Sequence, residues 1–333
     1  TLSSYWSHLY VVPGIVCALG RFLNLNVYGT LIAARMVNGL FFVVVSRYLI
    51  SLIPVAKTAF MIFLLNPMLV QQQASCSCDA VVNLAAISFL VLLLHLLSKE
   101  SISKREIATL ACLFLLTSIS KYIYFFMGYL FLLFVPRLNN RNKEIGVYVG
   151  VVFLSLLAAF FIITCYHGSF MPEGFALLRQ PSLFVSVLCK SIWKLTPFYV
   201  ASYAGQQLGQ LNILVWEPCL WLYLIIQTAS LFYNSDCASG LSFKGVQYFA
   251  MFADTFLIYL LALLSMRSWS LNADHNYDFI TGVQGRYLIP VAFQSMIPFH
   301  VSNRAKGNVY LLIYVMALVA IFIIDFATIV RFF

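Results

Sequence analysis

The sequence predicts an all-α polytopic integral membrane protein, with about ten transmembrane helices and a further amphipathic helix lying in the outer interface. Three observations predict it. Of 333 residues, 62% are hydrophobic and 9% are charged, and the mean hydropathy is +0.92. A soluble fold of this length could not cover its surface with so little charge, whereas a bilayer asks for that balance. Apolar runs of near-spanning length recur along the chain, and the basic residues gather in a few short clusters between them.

Long apolar runs occupy residues 27–45, 52–70, 80–97, 145–165, 211–233, 246–266 and 309–330. Each lies near the roughly 20 residues that a helix needs to cross a hydrocarbon core. Shorter runs at 107–118, 122–135 and 287–301 must tilt, thin the bilayer or be covered by neighbours. Charge sets the orientation. The net charge is +9, and in a membrane protein such an excess reports topology, because Lys and Arg stay in cytoplasmic loops. Lys99, Lys104 and Arg105 form one cluster, Arg137, Arg141 and Lys143 a second, and Arg304 and Lys306 a third. All three fall inside if 107–118 and 122–135 form a short hairpin with Lys121 at its outer tip. No run resembles a nucleic-acid-binding patch.

The outer face then receives residues 1–25, 71–79, 166–210 and 267–286. Residues 166–210 read as an extracytoplasmic or interfacial insertion within one helical domain spanning 1–333. There Leu183, Val187, Ile192 and Leu195, with Lys190 and Lys194, suit a helix in the headgroup layer. Trp193, Tyr199, Trp216 and Trp221 fit an aromatic belt. The start at Thr1 without Met predicts an upstream helix and a first outer loop preceding this sequence.

Ionisable groups at membrane depth are functional candidates by default. Asp79 opens a span directly after a Gln- and Ser-rich stretch; it suits either a charge favoured by the helix dipole or an acid facing an outer cavity. Arg286 follows Gln284 and Gly285 and precedes Tyr287. Its guanidinium suits bidentate capture of phosphate, the adjacent glycine would let backbone approach a ligand, and the competing role is a headgroup anchor. Lys121, beside Tyr122 and Tyr124, either snorkels or binds phosphate. Glu217 precedes Pro218, which either kinks its helix or frees carbonyls for a ligand. His8, near Tyr5 and Trp6, is a solvated interfacial histidine or a sugar contact. Arg35 and Asn38, one turn apart, suggest a structural hydrogen-bonded pair. Asp254 reads as a buried structural group, and Asp325 and His95 as interfacial.

The eight cysteines are scattered, mostly in apolar runs where they act as small apolar side chains. Cys76 and Cys78 alone make a poor zinc signal, so no metal site is expected. Neither a Walker loop nor a dinucleotide fingerprint nor a nucleophile elbow occurs. An activated donor would therefore be a membrane lipid rather than a soluble nucleotide.

Residues 280–290, ITGVQGRYLIP, resemble the most distinctive signature of a bacterial family of predicted membrane proteins, the domain-of-unknown-function family 2142. In order along the chain, HLYVVPGIVCALGRFL at 8–23, ARMVN at 34–38, NPMLVQQQASCSCD at 66–79, SKYIY at 120–124 and LGQLN at 208–212 agree. That family is similar to membrane glycosyltransferases of the GT-C type, which take sugars from polyprenyl-phosphate carriers on the outer face. The resemblance implies a GT-C-like fold, a catalytic carboxylate in a first outer loop and a second acid opening a later helix. Asp79 matches the second position. Arg286 would be a phosphate ligand and Lys121 another, while Gln284, Tyr287, Glu217 and His8 are the further candidate substrate contacts read from the residues themselves. Gln210 and Asn212 depart from the family's Trp and Asp in the LGWLD-like stretch.

The expected function is inverting sugar transfer from a polyprenyl-phosphate donor to a polysaccharide or glycolipid acceptor, at the bacterial cytoplasmic membrane, in surface-polysaccharide or wall-polymer assembly. No cofactor is required by these residues, although a divalent metal bridging Asp79 and phosphate is compatible with the chemistry. The alternatives are a flippase-like transporter and a non-catalytic component of an export complex.

Overall fold

A computed structural model describes residues 7–140, 172–208, 213–232, 243, 245–272, 274–275, 277–300, 312–313, 315–320 and 322–323. The apolar run at 145–165, most of that at 309–330, the basic residues Arg141, Lys143, Arg304 and Lys306, and Gln210, Asn212 and Asp325 lie outside the described residues.

The chain enters through a 3-10 turn, Ser7–Tyr10, into α1 (Val11–Phe22) and α2 (Val27–Leu52), which pack as a hairpin. Asn26 caps α2 by accepting from the Gly29 amide at 2.6 Å. This hairpin turns much of its apolar surface outward, with Phe22, Val27, Val43 and Val44 exposed. Such a surface is a liability in water and the expected state in lipid.

The run at 52–70 is not one continuous helix. α2 ends at Leu52, where Ile53 turns extended ahead of Pro54, as the proline's ring demands of its predecessor. Ala56 sits in the left-handed region at φ 52. Two short helices follow, α3 (Lys57–Leu64) and α4 (Pro67–Gln73), divided where Asn66 caps α4 and Pro67 occupies its first turn. Non-helical backbone at membrane depth is tolerated where protein covers it, and here Phe60, Ile62, Phe63, Met68 and Leu69 are all buried. A second interrupted segment, the 3-10 turn Gly285–Leu288 followed by α11 (Ile289–Met296), lies against the first. The Phe293 ring sits 4.9 Å from that of Phe60 and 5.6 Å from that of Phe63.

Against the second of them packs α5 (Cys78–Ser98), the most enclosed long helix: 78% of its apolar window is buried, against 22% for α2. α6 (Lys104–Ser120) begins at a reciprocal cap in which the Ser103 hydroxyl accepts from the Glu106 amide and the Glu106 carboxylate accepts from the Ser103 amide. Residues Tyr122–Asn140 wind as a 3-10 helix of 19 residues. At roughly 2.0 Å rise per residue the apolar run 122–135 covers about 28 Å, against about 21 Å for an α-helix of that length.

After α7 (Pro172–Leu178), α8 (Pro181–Ala204) closes at Gly205, φ 96. A two-residue antiparallel pair, Gln207–Leu208 with Ile213–Leu214, leads to α9 (Glu217–Phe232) and α10 (Gly245–Asn272). Among the described residues four helices are long and apolar enough to cross a membrane: Val27–Leu52, Cys78–Ser98, Pro181–Ala204 and Gln247–Asn272. α8 falls in the stretch 166–210 that the sequence reads as an interfacial insertion, and it is a single helix of 24 residues.

Candidate functional site

The turn between α4 and α5 presents Asp79. It is held from α2, where the Arg35 Nε donates to the Ala74 carbonyl at 3.1 Å and the Asn38 amide to the Ser75 carbonyl at 2.8 Å. These two residues therefore brace the turn rather than pair with one another. Ser75 donates back to the Gln72 carbonyl, and Gln73 donates to the Ala80 carbonyl across the turn. Asp79 then lies in the first turn of α5. Gln72 approaches its carboxylate at 3.5 Å, and Asn83 in turn donates to the Gln72 side-chain carbonyl at 2.6 Å.

Lys121 arrives where α6 ends. Its ammonium is 3.3 Å from the Asp79 carboxylate, and both side chains are largely enclosed. It also lies 3.9 Å from the centroid of the Tyr287 ring, while the Arg286 guanidinium sits 5.6 Å from the same centroid. Two cations thus lie near one ring, an arrangement stabilised by the ring's negative face, and among the described residues the Asp79 carboxylate pairs with Lys121. Tyr124 closes the back by donating to the Tyr287 carbonyl at 2.8 Å. The Nε of Arg286 and the Oε1 of Gln284 are buried and have no hydrogen-bond partner among the described residues. Buried polar atoms left so are costly, and they mark the place where a polar ligand would gain most.

The segment carrying Arg286 is aligned by α8. The Ile280 amide donates to the Ser191 hydroxyl at 2.9 Å and the Gly285 amide to the Ser202 hydroxyl at 2.8 Å. Serines eleven apart share a helix face after about three turns, roughly 16 Å along the axis. Near-extended chain covers roughly that distance between Ile280 and Gly285. The approach is close: a Cβ on Gly285 would lie 2.0 Å from the Tyr199 carbonyl oxygen and 2.5 Å from the Tyr203 nitrogen. The glycine of the QGRY stretch therefore permits this close contact with α8. Gly282 supplies the φ of 92 that bends the segment over Trp269.

Lys190 and Lys194 engage this same segment. Lys190 donates to Asp278 at 2.9 Å and Lys194 sits over the Phe279 ring. The hydrogen bond and charge of Lys190 hold the Asp278 carboxyl below its ordinary range.

The structure thus brings Asp79, Lys121, Arg286 and Tyr287 together, with Gln284 next to them in the chain. His8 is one residue removed, its Nε2 3.2 Å from the hydroxyl of Ser120. Glu217 is placed elsewhere. Its carboxylate accepts from the Trp221 indole at 3.2 Å and borders a separate pocket of about 250 Å³ between α8 and α9, with Gln206 and Pro197. Sequence reasoning missed the Gln72–Asn83 relay, the Tyr124 contact and the two α8 serines; the eleven-residue spacing of Ser191 and Ser202 was their available signal. As for a metal, no group of three or more His, Cys, Asp or Glu side chains converges among the described residues. The cluster offers an ion one carboxylate, so any metal there would draw its other ligands from phosphate oxygens and water.

A family model described as Predicted membrane protein (DUF2142) matches residues 1–294. The chain belongs to that family. The DUF2142 match takes in His8, Asp79, Lys121, Glu217, Gln284, Arg286 and Tyr287, so the whole cluster lies within the shared region. No curated protein and no solved structure matches the chain.

Proposed function

We propose that this DUF2142 member is a membrane-embedded, GT-C-like sugar transferase. It would use a polyprenyl-phosphate-linked donor at the extracytoplasmic face of the bacterial cytoplasmic membrane, for surface-polysaccharide or wall-polymer assembly. One observation carries the reading: Lys121 and Arg286 flank the Tyr287 ring while Asp79 faces Lys121. The acceptor hydroxyl attacks the anomeric carbon as the bond from that carbon to the phosphate oxygen breaks. The two cations stabilise the charge that gathers on the departing phosphate. In the resting protein Asp79 is engaged by Lys121. An arriving phosphate competes for that ammonium, and the released carboxylate then orients the acceptor hydroxyl and takes its proton.

The test uses full-length protein reconstituted in liposomes with a polyprenyl-phosphate sugar, and measures release of polyprenyl phosphate. Arg286→Ala should lower turnover by about 10²–10³-fold, the range for losing one group that stabilises developing charge, and Asp79→Asn by about 10²–10⁴-fold, the range for losing a general base. Undiminished turnover in both variants would remove the site assignment. A transporter is the second reading, supported by the two interrupted, buried segments that meet at Phe60 and Phe293, since transporters build substrate sites from broken helices. Movement of the lipid between leaflets without release of phosphate would favour it.

A further inference from the structure

One buried polar contact takes no part in the ion cluster. Asp254 on α10 and Gln294 on α11 are both fully buried. The Gln294 amide nitrogen donates to Asp254 Oδ2 and to the Thr255 hydroxyl, the latter at 3.1 Å. Thr255 gives its own proton to the Met251 carbonyl at 2.9 Å, so toward Gln294 it can only accept. That fixes the carboxamide with its nitrogen toward Asp254 and occupies both N–H bonds. Two oxygens are left over. Asp254 Oδ1 and Gln294 Oε1 are buried and have no hydrogen-bond partner among the described residues, and no Lys or Arg among those residues pairs with Asp254.

We propose that Asp254 is a proton-binding site: its carboxyl group carries a proton on Oδ1 and donates it to Gln294 Oε1, so that acid and amide form a closed, neutral pair joining α10 to α11. An ionised carboxylate enclosed here without a cation would be an uncompensated charge, among the costliest states a protein interior can hold. One proton removes that charge and satisfies both oxygens at once. A bridging water would satisfy the oxygens and leave the charge. The position of the pair gives it a role. α11 starts at Ile289, directly after the turn Gly285–Leu288 that carries Arg286. Ser202 on α8 holds the front of that turn through the Gly285 amide, and Asp254 holds the helix behind it. Asp254 is therefore a positioning residue for the Arg286 segment, and it acts in its neutral form. This holds whatever ligand the ion cluster takes.

The test is infrared spectroscopy of the full-length protein in liposomes at neutral pH, with isotope-labelled aspartate. Subtracting the spectrum of Asp254→Asn from that of the parent should leave a carboxylic-acid carbonyl band. A carboxylate band in its place would overturn the inference. Hydrogen exchange gives a second readout. Asparagine copies the bonding of the neutral acid, an N–H standing in for the O–H, so Asp254→Asn should leave the amides of Ile289–Met296 as protected as in the parent. Asp254→Leu strands both ends of the Gln294 carboxamide and should speed their exchange by about tenfold. Where Asp254→Leu fails to fold, Gln294→Leu takes its place, leaving the acid without its amide, and should also speed exchange. Loss of protection in Asp254→Asn equal to that in the leucine variant, or protection in the parent that requires sodium, would show that a metal cation and not a proton neutralises the site. Unchanged protection in every variant would remove the positioning role.

Discussion

Two lysine–aspartate pairs lie near the two ends of the QGRY-bearing segment, Lys190–Asp278 and Lys121–Asp79, and they differ in almost everything but chemistry. Lys190–Asp278 is the shorter, at 2.9 Å, yet its side chains are 47% and 70% exposed. Lys121–Asp79 is longer, at 3.3 Å, with side chains 18% and 14% exposed. Distance alone would rank the first as stronger. Burial reverses the order, because water and salt screen the first pair while the second is shielded and its members have few other partners. A third pair, Lys99–Glu106, falls between them at 38% and 27%.

The largest expected effect comes from breaking the enclosed pair on one side. Lys121→Met leaves the Asp79 carboxylate without its cation and should destabilise the protein by about 3–5 kcal/mol, read as a lowered unfolding temperature in detergent. Adding Asp79→Asn should recover much of that loss; no recovery would show that the lysine acts by packing rather than by charge. Next, Ser202→Ala removes a neutral, buried acceptor and strands the Gly285 amide, costing about 1–3 kcal/mol. A loss as large as that of Lys121→Met would mean that burial outweighs charge in this region.

The intermediate pair gives a pH test. Hydrogen bonds from Lys99 and from Ser103 hold Glu106 down to about 2. A depressed carboxylate contributes its stability in full above the ordinary carboxylate pKa, roughly 4, and loses it as pH falls toward 2. Glu106→Gln should flatten that acid limb. A variant whose acid limb matches that of the parent would place the sensitivity elsewhere. The smallest effect belongs to the exposed pair. Lys190→Ala and Asp278→Asn should leave the unfolding temperature unchanged within error at physiological salt, since exposed pairs of this kind contribute little. A salt-resistant loss would show that water does not reach this pair in the membrane.

The sequence made the membrane class plain through its hydropathy, and Asp79, Lys121 and Arg286 stood out because charge is rare in this chain. Their meeting was not legible from spacing, since Asp79 and Arg286 lie 207 positions apart (286 − 79); the ordered motifs of the resemblance suggested it. The interrupted segment was another matter. Pro54 and the Asn66–Pro67 pair are helix breakers visible in the sequence, but a window average over 52–70 hides them beneath strong hydropathy. Glu217 looked similar to Asp79, each an acid at the start of a helix. What distinguishes them is the partner, a lysine for one and a tryptophan on its own helix for the other, and composition carries no information about that. For α8, hydropathy and the two lysines suggested a headgroup helix. Its serines also receive amides from the segment 280–285, a role that depends on that distant stretch of chain and not on the helix's own pattern.

The pairing of near-extended chain with α8 works as a ruler. Each residue between Ile280 and Gly285 advances the chain by at most about 3.3 Å, whereas one residue of helix advances it by about 1.5 Å. Deleting a single residue there would drag the guanidinium several ångströms along the helix and away from the aromatic ring it shares with Lys121, even if every side chain were kept. Length in this stretch is therefore as much a part of the site as the charges it delivers.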